Sequence, residues 1–573
     1  MSQNNLFITE GRVNKEYSLA LRRASRDEVT AKIMNRQPEI FSKGTAMKKL
    51  IGNRLGWVDV VPRMKRQISR IEQFGQQVFK DRLCHVVLMG MGGSSLCPEL
   101  FKLAFRKHPR LKSFDVIDST DPTAVKALTR KIDPRKTLFI VSSKSGSTIE
   151  TRSHLAFFMD ILDRAGVKQI GKHFVAITDK SSSLERMGRQ YHFRKIFLNP
   201  SDIGGRYSAL SYFGLVPGFF AGVDLKKLLE SAGVMEKAIR ERTGETNPAL
   251  VLGTLIAVAA SKGIDKLTFM ASKKTAPLVP WIEQLVAEST GKKGKGVIPI
   301  EAEPTGSPAH YGRDRMFVSL RLSSERLGAN RALFDKLIKK GVPSISIEME
   351  SLNEIGAQFL LWEAATAVAG YHFHINPFDE PNVSESKANT SAILKAYQES
   401  GQFDDMAPTA RFKHLALVSH SGRRYTRNEV SDLKKTLKRF FSGLKQPEYL
   451  SLLGYFKEDN ATEKEFAQVR SLLQTKKKVA TLRGYGPRFL HSIGQLYKGG
   501  PPNGRFVVFV RQKYERLDIP GQFFDFGQLI SAQAIGDARA LAERNLPMVV
   551  IAIDGSPSRG LKEFSDLVKS IFK

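Results

Sequence analysis

The sequence predicts an α/β protein built from doubly wound parallel sheets. Short apolar runs recur along the chain and end in turns or polar clusters, and helix-like stretches at 153–164, 330–340 and 354–371 lie between them. Continuous apolar strands that alternate with helices are typical of parallel sheets covered on both faces. The predicted strands are 85–89, 114–117, 138–141, 174–177, 267–270, 317–320, 345–347, 506–510 and 549–553.

The length of the chain predicts several domains, because 573 residues are too many for one ordinary core. Polar, turn-rich stretches at 240–248 and 400–410 are candidate boundaries. We therefore expect an N-terminal region with a first parallel-sheet domain over 1–240, a second such domain over 241–405 and a C-terminal α/β extension over 406–573. The extension is expected to begin with basic helical sequence and to contain two strands.

The composition indicates a globular protein, since 42% of the residues are hydrophobic and 25% are charged. Two cysteines are too few for a disulfide framework or a cysteine-based metal site, and a reducing compartment fits. The first residues lack the pattern of a secretory signal, and no apolar run approaches the ~18 residues that a membrane span needs. We therefore expect a soluble, cytoplasmic protein with no membrane partner.

The formal net charge of +32 favours anionic partners such as phosphorylated metabolites, nucleic acids or acidic membrane surfaces. The basic residues are scattered, however, apart from local clusters at 434–439 and 476–478. The sequence has no zinc-finger spacing, no RRM aromatic motif and no long polybasic tail. A solvated basic surface or the steering of an anionic substrate explains the charge, and a nucleic-acid partner is not expected.

A glycine-rich loop, GMGGSSL, covers 90–96 and follows the first predicted strand. Glycines let backbone N–H groups approach a ligand, and the two serines stand where a helix would begin, so the loop is a candidate anion site. A dinucleotide fingerprint needs G-x-G-x-x-G, but Ser95 stands at the third glycine position, although Asp118 could imitate the ribose-binding acid. A tight strand-to-helix turn is the alternative.

A second loop, SSKSGSTIET over 142–151, is rich in hydroxyl groups and follows the strand at 138–141. Ser147 and Glu150 have capping-box spacing, but capping explains only one or two of the hydroxyls. A phosphate monoester offers three acceptor oxygens and about two negative charges, which the hydroxyls and the Lys144 ammonium would match. The P-loop pattern G-x-x-x-x-G-K-[ST] is absent, so we expect the phosphate on the substrate rather than on a hydrolysed nucleotide.

Five motifs in order resemble the glucose-6-phosphate isomerase family. They are GMGGSSLCPEL and SSKSGSTIET, then IGGRYSALS at 203–211, QLVAESTGK at 284–292 and the segment INPFD that leads from 375 to Lys387. Together they are far more specific than any one of them. The tail GYGPRFLHSIGQLYKGGP at 484–501 is similar to the isomerase half of bacterial transaldolase–glucose-6-phosphate isomerase fusions. The resemblance implies two sugar-isomerase (SIS) domains followed by the extension.

The resemblance also implies a reaction, the interconversion of glucose 6-phosphate and fructose 6-phosphate through a cis-enediol. Glu288 would be the base that moves a proton between C2 and C1, and Arg206 would stabilise the enediolate. Lys387 and His310 would open the sugar ring, with His491 as the alternative to His310. The residues implied to bind the substrate are Gly93, Ser94, Ser143, Lys144, Ser145, Thr148 and Gln284.

The match is weakest around the groups that would open the ring. Glu385 and Ser386 replace the leucine and glycine that usually precede the lysine. His372 and His374 have the i, i+2 spacing of a metal pair on a strand, but no third ligand accompanies them, so we interpret them as structural. No metal, nucleotide or organic cofactor is implied.

A phosphorylated hexose is the expected partner, and the resemblance alone implies a homodimer with sites near the subunit interface. Two alternatives stay open. The same fold can bind a phosphosugar as a non-catalytic sensor, and a related isomerase can also accept mannose 6-phosphate. The presence of Glu288 together with Gln284, Arg206 and Lys387 favours an enzyme, because a sensor needs no base.

Overall fold

The structure is a computed structural model that describes residues 6–403, 407–421 and 430–573, with 383–387 described by their backbone alone. Three sheets flanked by helices make up this part of the chain, which confirms the predicted α/β class. The division into domains at 240 and 405 stays a prediction. Within the described ranges, no helix is both long enough and apolar enough to cross a bilayer.

The strands of the three sheets extend from one end of the described chain almost to the other. They are β1 (Leu6–Thr9), β2 (His85–Met89), β3 (Ser113–Ile117), β4 (Thr137–Ser142), β5 (Phe174–Asp179), β6 (Lys195–Asn199), β7 (Lys266–Ala271), β8 (Ile298–Ile300), β9 (Arg315–Leu322), β10 (Ser344–Met349), β11 (Ala410–Phe412), β12 (Leu415–Ser421), β13 (Tyr449–Tyr455), β14 (Ala480–Tyr485), β15 (Gly504–Arg511) and β16 (Met548–Ile553). All nine predicted strands are confirmed, and β1, β6, β8 and β11 to β14 were not predicted.

The helices lie between these strands and cover the sheets. They are α1 (Asn14–Arg26), α2 (Val29–Met34), α3 (Thr45–Gly52), α4 (Val60–Lys65), α5 (Ile68–Lys80), α6 (Leu96–Ala104), α7 (Pro122–Lys131), α8 (Ile149–Arg164), α9 (Ser183–Gln190), α10 (Tyr212–Phe220), α11 (Leu225–Glu241), α12 (Pro248–Ser261), α13 (Val279–Thr290), α14 (Ala329–Lys339), α15 (Ile355–Phe373), α16 (Val383–Ser400), α17 (Leu433–Ser442), α18 (Asn460–Lys477), α19 (Gly494–Gly499), α20 (Phe526–Glu543) and α21 (Pro557–Ile571). The three predicted helical stretches correspond to α8, α14 and α15.

The first sheet carries the two loops singled out in the sequence. Its five strands are all parallel and lie in the order β3-β2-β4-β5-β6. Every residue of β2 is buried, which explains why its sequence is a continuous apolar run rather than an alternating one. The carboxyl ends of these strands meet at one edge, which is where ligands bind in sheets of this kind.

The second sheet combines four parallel strands with one strand from the beginning of the chain. The order is β1-β10-β9-β7-β8, and β1 joins the edge antiparallel, with Leu6 opposite Ile347 and Thr9 opposite Ser344. Helix α15 packs against α11, α12 and α13 and is buried along almost its whole length. A helix that is apolar on all sides is typical of such an interior position.

The third sheet lies in the C-terminal extension and has six strands in the order β11-β12-β16-β15-β13-β14. Strands β13 to β16 are parallel, whereas β11 and β12 form an antiparallel edge. The expectation of two strands after a helical start was therefore wrong. The extension begins with strands, and its basic helix α17 follows them.

One buried acid in α15 predicts an unusual dependence of stability on pH. Glu363 is fully buried, and among the described residues neither of its carboxyl oxygens has a hydrogen-bond partner. Burial raises the pKa of Glu363 well above its usual value, so the folded protein keeps this group protonated. Its contribution to stability is then fully present below the unfolded pKa and is lost as the pH rises towards the folded pKa.

We therefore expect Glu363→Met to gain stability relative to the wild-type protein as the pH increases. The substitution removes an unsatisfied polar group, which costs about 1–3 kcal/mol, and at pH 8 it also removes the cost of protonating the acid. Urea unfolding at pH 5 and pH 8 measures the difference between the two proteins. An equal difference at both pH values would show that Glu363 does not keep its proton on folding.

Candidate active site

A cleft of about 520 Å³ opens at the carboxyl edge of the first sheet. Its walls come from the loop after α3 and from the loops after β2, β4, β5 and β6 in the first sheet region, the part of the chain that holds β2 to β6. Helix α13 of the second sheet region, which holds β7 to β10, the later residue Glu380 and the extension complete the walls. Nine of the eleven predicted site residues line it, namely Gly93, Ser94, Ser143, Lys144, Ser145, Thr148, Arg206, Gln284 and Glu288. The sequence motifs thus meet in one place, although the role of each residue stays a prediction.

The loop after β4 forms a cluster of hydroxyl groups at the start of α8. The Ser143 hydroxyl oxygen lies 3.1 Å from that of Thr148 and accepts a hydrogen bond from the Gly146 N–H at 3.1 Å. Gly146 has φ +70°, and a Cβ there would lie 2.3 Å from the Leu184 nitrogen, so the turn requires glycine. Hydroxyl groups beside the N-terminus of a helix suit an anion.

Glu150 does not close a capping box with Ser147, contrary to the expectation from their spacing. Among the described residues no side chain caps α8, and the Ser147 hydroxyl lies 2.8 Å from that of Ser145. The buried Glu150 carboxylate instead points to the extension, where its Oε1 is 2.9 Å from His491 Nε2. The glutamate therefore joins the first sheet region to the extension.

Lys144 already has an acidic partner at the cleft. Its ammonium group contacts the Asp179 carboxylate at the end of β5 and donates to the Ser201 carbonyl oxygen at 3.0 Å. Burial raises the pKa of Asp179, and the adjacent Lys144 opposes that rise. These bonds fix the ammonium group between the loops after β4, β5 and β6, beside the hydroxyl cluster.

The two glycine loops pack directly on each other. Gly92 has φ +54°, and a Cβ on Gly93 would lie 2.2 Å from the Gly205 carbonyl oxygen. Ser95 donates to Asp118 at 3.1 Å instead of capping α6, and Asp118 is not among the residues that line the cleft. The geometry therefore does not support the dinucleotide alternative. The glycines instead let the GMGGSS and GGRYS motifs approach.

Glu288 is a buried carboxylate with one neutral and one charged neighbour. Its Oε2 accepts from Gln284 Nε2 at 3.1 Å, one helical turn earlier in α13, and its Oε1 lies 3.3 Å from Arg206 Nη1. Burial raises the pKa of Glu288, while the Arg206 charge opposes the rise. The result is a buried carboxylate that lies at the cleft beside a fixed cation, which Glu288 shares with Glu380.

The Arg206 guanidinium is held in place by the INPFD segment. Its Nη2 donates to the carbonyl oxygens of Pro377 and Asp379, each at 2.8 Å, and its Nη1 donates to Glu380 Oε2 at 3.0 Å. Although burial alone would lower the pKa of Arg206, Glu288 and Glu380 raise it. Sequence reasoning missed Glu380, although it directly follows INPFD.

The buried Lys292 anchors the same segment from the other side. Its Nζ donates to the Asn376 carbonyl oxygen at 2.7 Å and pairs with the Asp379 carboxylate at 2.7 Å. Burial lowers the pKa of Lys292 to about 8. The QLVAESTGK and INPFD motifs are therefore joined by a lysine as well as by Arg206.

The predicted ring-opening residues are placed very differently. His310 belongs to a short turn, Pro308–His310, between β8 and β9 and is not among the residues that line the cleft. Lys387 lies in α16, but its side chain is outside the described part of the structure. His491, the alternative, does line the cleft.

His372 and His374 occupy the end of α15 rather than a strand. His372 lies within the last turn, and His374 follows the helix with a left-handed backbone. His372 Nε2 is 3.0 Å from the Thr254 hydroxyl, and burial lowers the pKa of His372 to about 4. These contacts agree with a structural interpretation of the pair.

Comparison with known proteins identifies related sequences and a related structure. A family model described as phosphoglucose isomerase matches residues 53–307. A glucose-6-phosphate isomerase from Thermus thermophilus is 30% identical over 357 residues, which cover 61% of this chain and 78% of that protein. One from Staphylococcus saprophyticus is 28% identical over 384 residues, covering 59% and 86%. The crystal structure of a hypothetical protein from another strain of Thermus thermophilus aligns with a TM-score of 0.57 and 25% identity, covering 68% of this chain and 99% of that one.

Proposed function

Because the chain belongs to the phosphoglucose isomerase family, we propose that it interconverts glucose 6-phosphate and fructose 6-phosphate through a cis-enediol. The observation that carries the proposal is that Glu288 and Arg206 share one cleft with the hydroxyl cluster at the start of α8. A phosphate held at that cluster would place the other end of the sugar against the carboxylate.

Glu288 is the proposed base of the isomerisation. It takes the C2 proton of the open-chain aldose, and the electron pair of the C2–H bond forms the C1=C2 double bond of the enediol while the charge passes to the aldehyde oxygen O1. Glu288 then returns the proton to C1, and the O2 hydroxyl proton passes to O1 as the C2 carbonyl forms. General base catalysis of this kind contributes about 10²–10⁴-fold. As negative charge develops on the enediolate oxygens, the preorganised Arg206 guanidinium stabilises it more than it stabilises the ground state.

His491 is the proposed acid and base for opening the sugar ring. Ring opening breaks the C1–O5 bond, removes a proton from the C1 hydroxyl and delivers one to O5, so a single imidazole can move the proton. His491 lines the cleft and is 2.9 Å from the Glu150 carboxylate, whereas His310 is not among the lining residues. Lys387 stays a proposed partner in this step by resemblance alone.

Lys144 is the proposed charged contact to the substrate phosphate. Lys144→Ala is expected to raise the KM for glucose 6-phosphate about 10- to 100-fold, because a hydrogen bond to a charged group is worth about 1.5–3 kcal/mol. We expect kcat to change much less, since the reacting carbons lie at the other end of the sugar. Initial-rate kinetics separate the two constants, and an unchanged KM would contradict this role.

A double variant separates the effect of losing the Lys144 cation from the effect of leaving the Asp179 carboxylate unpaired. Lys144→Ala leaves the half-buried Asp179 carboxylate without its ammonium partner, and this carboxylate would repel a phosphate. Lys144→Ala combined with Asp179→Asn removes that repulsion. If KM is restored completely by the second change, repulsion rather than the missing lysine contact explains the effect.

A non-catalytic sensor of phosphosugars and an isomerase of wider substrate range are the alternatives. A sensor has no need of a buried carboxylate paired with a fixed guanidinium, so the pair Glu288 and Arg206 favours the enzyme. A coupled assay with glucose 6-phosphate, fructose 6-phosphate and mannose 6-phosphate tests all three functions. Binding without turnover of any of these sugars would establish the sensor, and turnover of mannose 6-phosphate would establish the wider range.

Two further properties follow from the resemblance alone. Assembly as a homodimer stays a prediction, and so does the likeness of the tail at 484–501 to the isomerase half of transaldolase fusions.

A further inference from the structure

A series of hydrogen bonds that runs between the first sheet and the extension ends at the proposed ring-opening histidine. The Thr120 hydroxyl donates to Gln533 Oε1 at 2.7 Å, and Gln533 Nε2 donates to Glu150 Oε1 at 2.8 Å. The same Glu150 oxygen lies 2.9 Å from His491 Nε2. Thr120 and Glu150 belong to the first sheet region, whereas Gln533 lies on α20 and His491 precedes α19.

The chemistry of the three partners fixes the direction of each bond. The Thr120 hydroxyl satisfies the amide oxygen of Gln533, so the amide N–H₂ group faces Glu150. An ionised Glu150 carboxylate only accepts, and opposite it His491 carries its proton on Nε2 and presents Nδ1 as the second ring nitrogen. Thr120, Gln533 and Glu150 are all at most 3% exposed, and hydrogen bonds in such dry surroundings hold orientation firmly.

We propose that Gln533 is a positioning residue for His491 and that the extension thereby completes the active site. This inference rests on the proposed isomerase function. The bond from Gln533 holds Glu150 Oε1 where it can accept a hydrogen bond from the imidazole of His491. Glu150 then fixes the ring orientation in which His491 exchanges a proton with the sugar. The family match ends at residue 307, so both His491 and Gln533 lie beyond the matched residues.

The experiment isolates ring opening from isomerisation. In a Glu288→Gln background the enediol step is disabled, whereas ring opening still exchanges the α and β anomers of glucose 6-phosphate. Two-dimensional NMR exchange spectroscopy measures that rate, and isothermal titration calorimetry measures the affinity for the same sugar. A change in exchange rate at constant affinity is the signature of a positioning role, because a general loss of structure would weaken binding too.

Adding Gln533→Met to this background is expected to lower enzyme-catalysed anomer exchange about 10- to 100-fold with little change in affinity, as for a misplacement of ~1 Å. Thr120→Val should act in the same direction but more weakly, because it only frees the Gln533 amide to rotate. Ser531→Ala is the matched control, since the Ser531 hydroxyl bonds to the Gly527 carbonyl oxygen on the same helix. It should leave the exchange rate unchanged.

Adding His491→Ala to the same background distinguishes the inference from the function on which it rests. If His491→Ala lowers exchange but neither Gln533→Met nor Thr120→Val does, the positioning role is overturned and the proposed ring-opening step survives. If His491→Ala leaves exchange unchanged, the ring-opening assignment itself fails. Equal losses of affinity and exchange in Gln533→Met and Thr120→Val would show a structural role only.

Discussion

Glu288→Gln is expected to lower kcat about 10²–10⁴-fold while the protein continues to bind glucose 6-phosphate. The amide has nearly the shape of the carboxylate and can still contact Gln284, but it cannot accept the C2 proton. The proposed phosphate contacts of Ser143, Lys144 and Thr148 are untouched, so affinity should change little. A coupled assay and calorimetric titration with the sugar phosphate measure the two quantities.

Glu283→Gln provides a matched control on the same helix. Glu283 lies in α13 five residues before Glu288, is buried and is not among the residues that line the cleft. Burial raises the pKa of Glu283 to about 8, so the wild-type side chain is largely neutral at pH 7 and an amide is a close substitute. We expect near wild-type activity. Near wild-type turnover in Glu288→Gln instead would remove Glu288 from its role as the base.

Arg206→Lys is expected to lower kcat about 10²–10³-fold, the cost of losing a preorganised donor at a developing oxyanion. A lysine has one compact ammonium group and cannot reproduce the bonds to Ser289, Pro377, Asp379 and Glu380 at the same time. The loss should be concentrated in kcat rather than KM, because the contact strengthens only as charge develops on the sugar.

The same variant should also move the pH profile. In the wild-type protein the Arg206 charge opposes the burial that raises the pKa of Glu288. A displaced cation opposes it less, so the pKa of Glu288 rises further and the acidic limb of the kcat/KM profile moves to higher pH. Arg240→Lys is the control, since Arg240 also donates to backbone carbonyl oxygens, those of Met34 and Val58, but does not line the cleft. If the acidic limb does not move in Arg206→Lys, the charge of Arg206 does not influence the pKa of Glu288.

Much of the cleft could be predicted because its parts are local in sequence. The hydroxyl cluster and the glycine loops each directly follow a buried strand, and the carboxyl ends of parallel strands meet at one edge. Gln284 and Glu288 stand four residues apart within one predicted motif, and helix α13 brings residues at that spacing together. Short-range geometry and the parallel topology of the sheet were sufficient to predict that these residues meet in one cleft.

The parts that could not be predicted depend on contacts across long stretches of chain. Glu150 meets His491 across 341 positions and Gln533 across 383. Its local spacing to Ser147 favoured a capping box, and tertiary contacts overrode that preference. Gln533 lies on the largely buried helix α20, in a stretch without a recognisable motif, so nothing in the local sequence distinguishes it from a glutamine that packs in a core.

Only two of the six strands of the third sheet, β15 and β16, were predicted, and the physical reason is different. Strand β14 reads ATLRGY, and only Val479 separates it from three consecutive lysines. Strand β13 reads YLSLLGY, with glycine and serine among its apolar residues. Such strands lack the β-branched apolar runs that mark β15 and β16. Their burial comes from neighbouring strands and helices, and this is not visible in the strand itself.

The place of β1 has a consequence for how the protein is made on the ribosome. Leu6 pairs with Ile347, so the partner is synthesised 341 residues later (347 − 6). Because the chain is synthesised at about 5–20 residues per second, the apolar segment LFIT stays without its partner strand for roughly 17–70 s. During translation it is therefore an early candidate for chaperone binding, and β1 can join the second sheet only when the nascent chain has extended past β10.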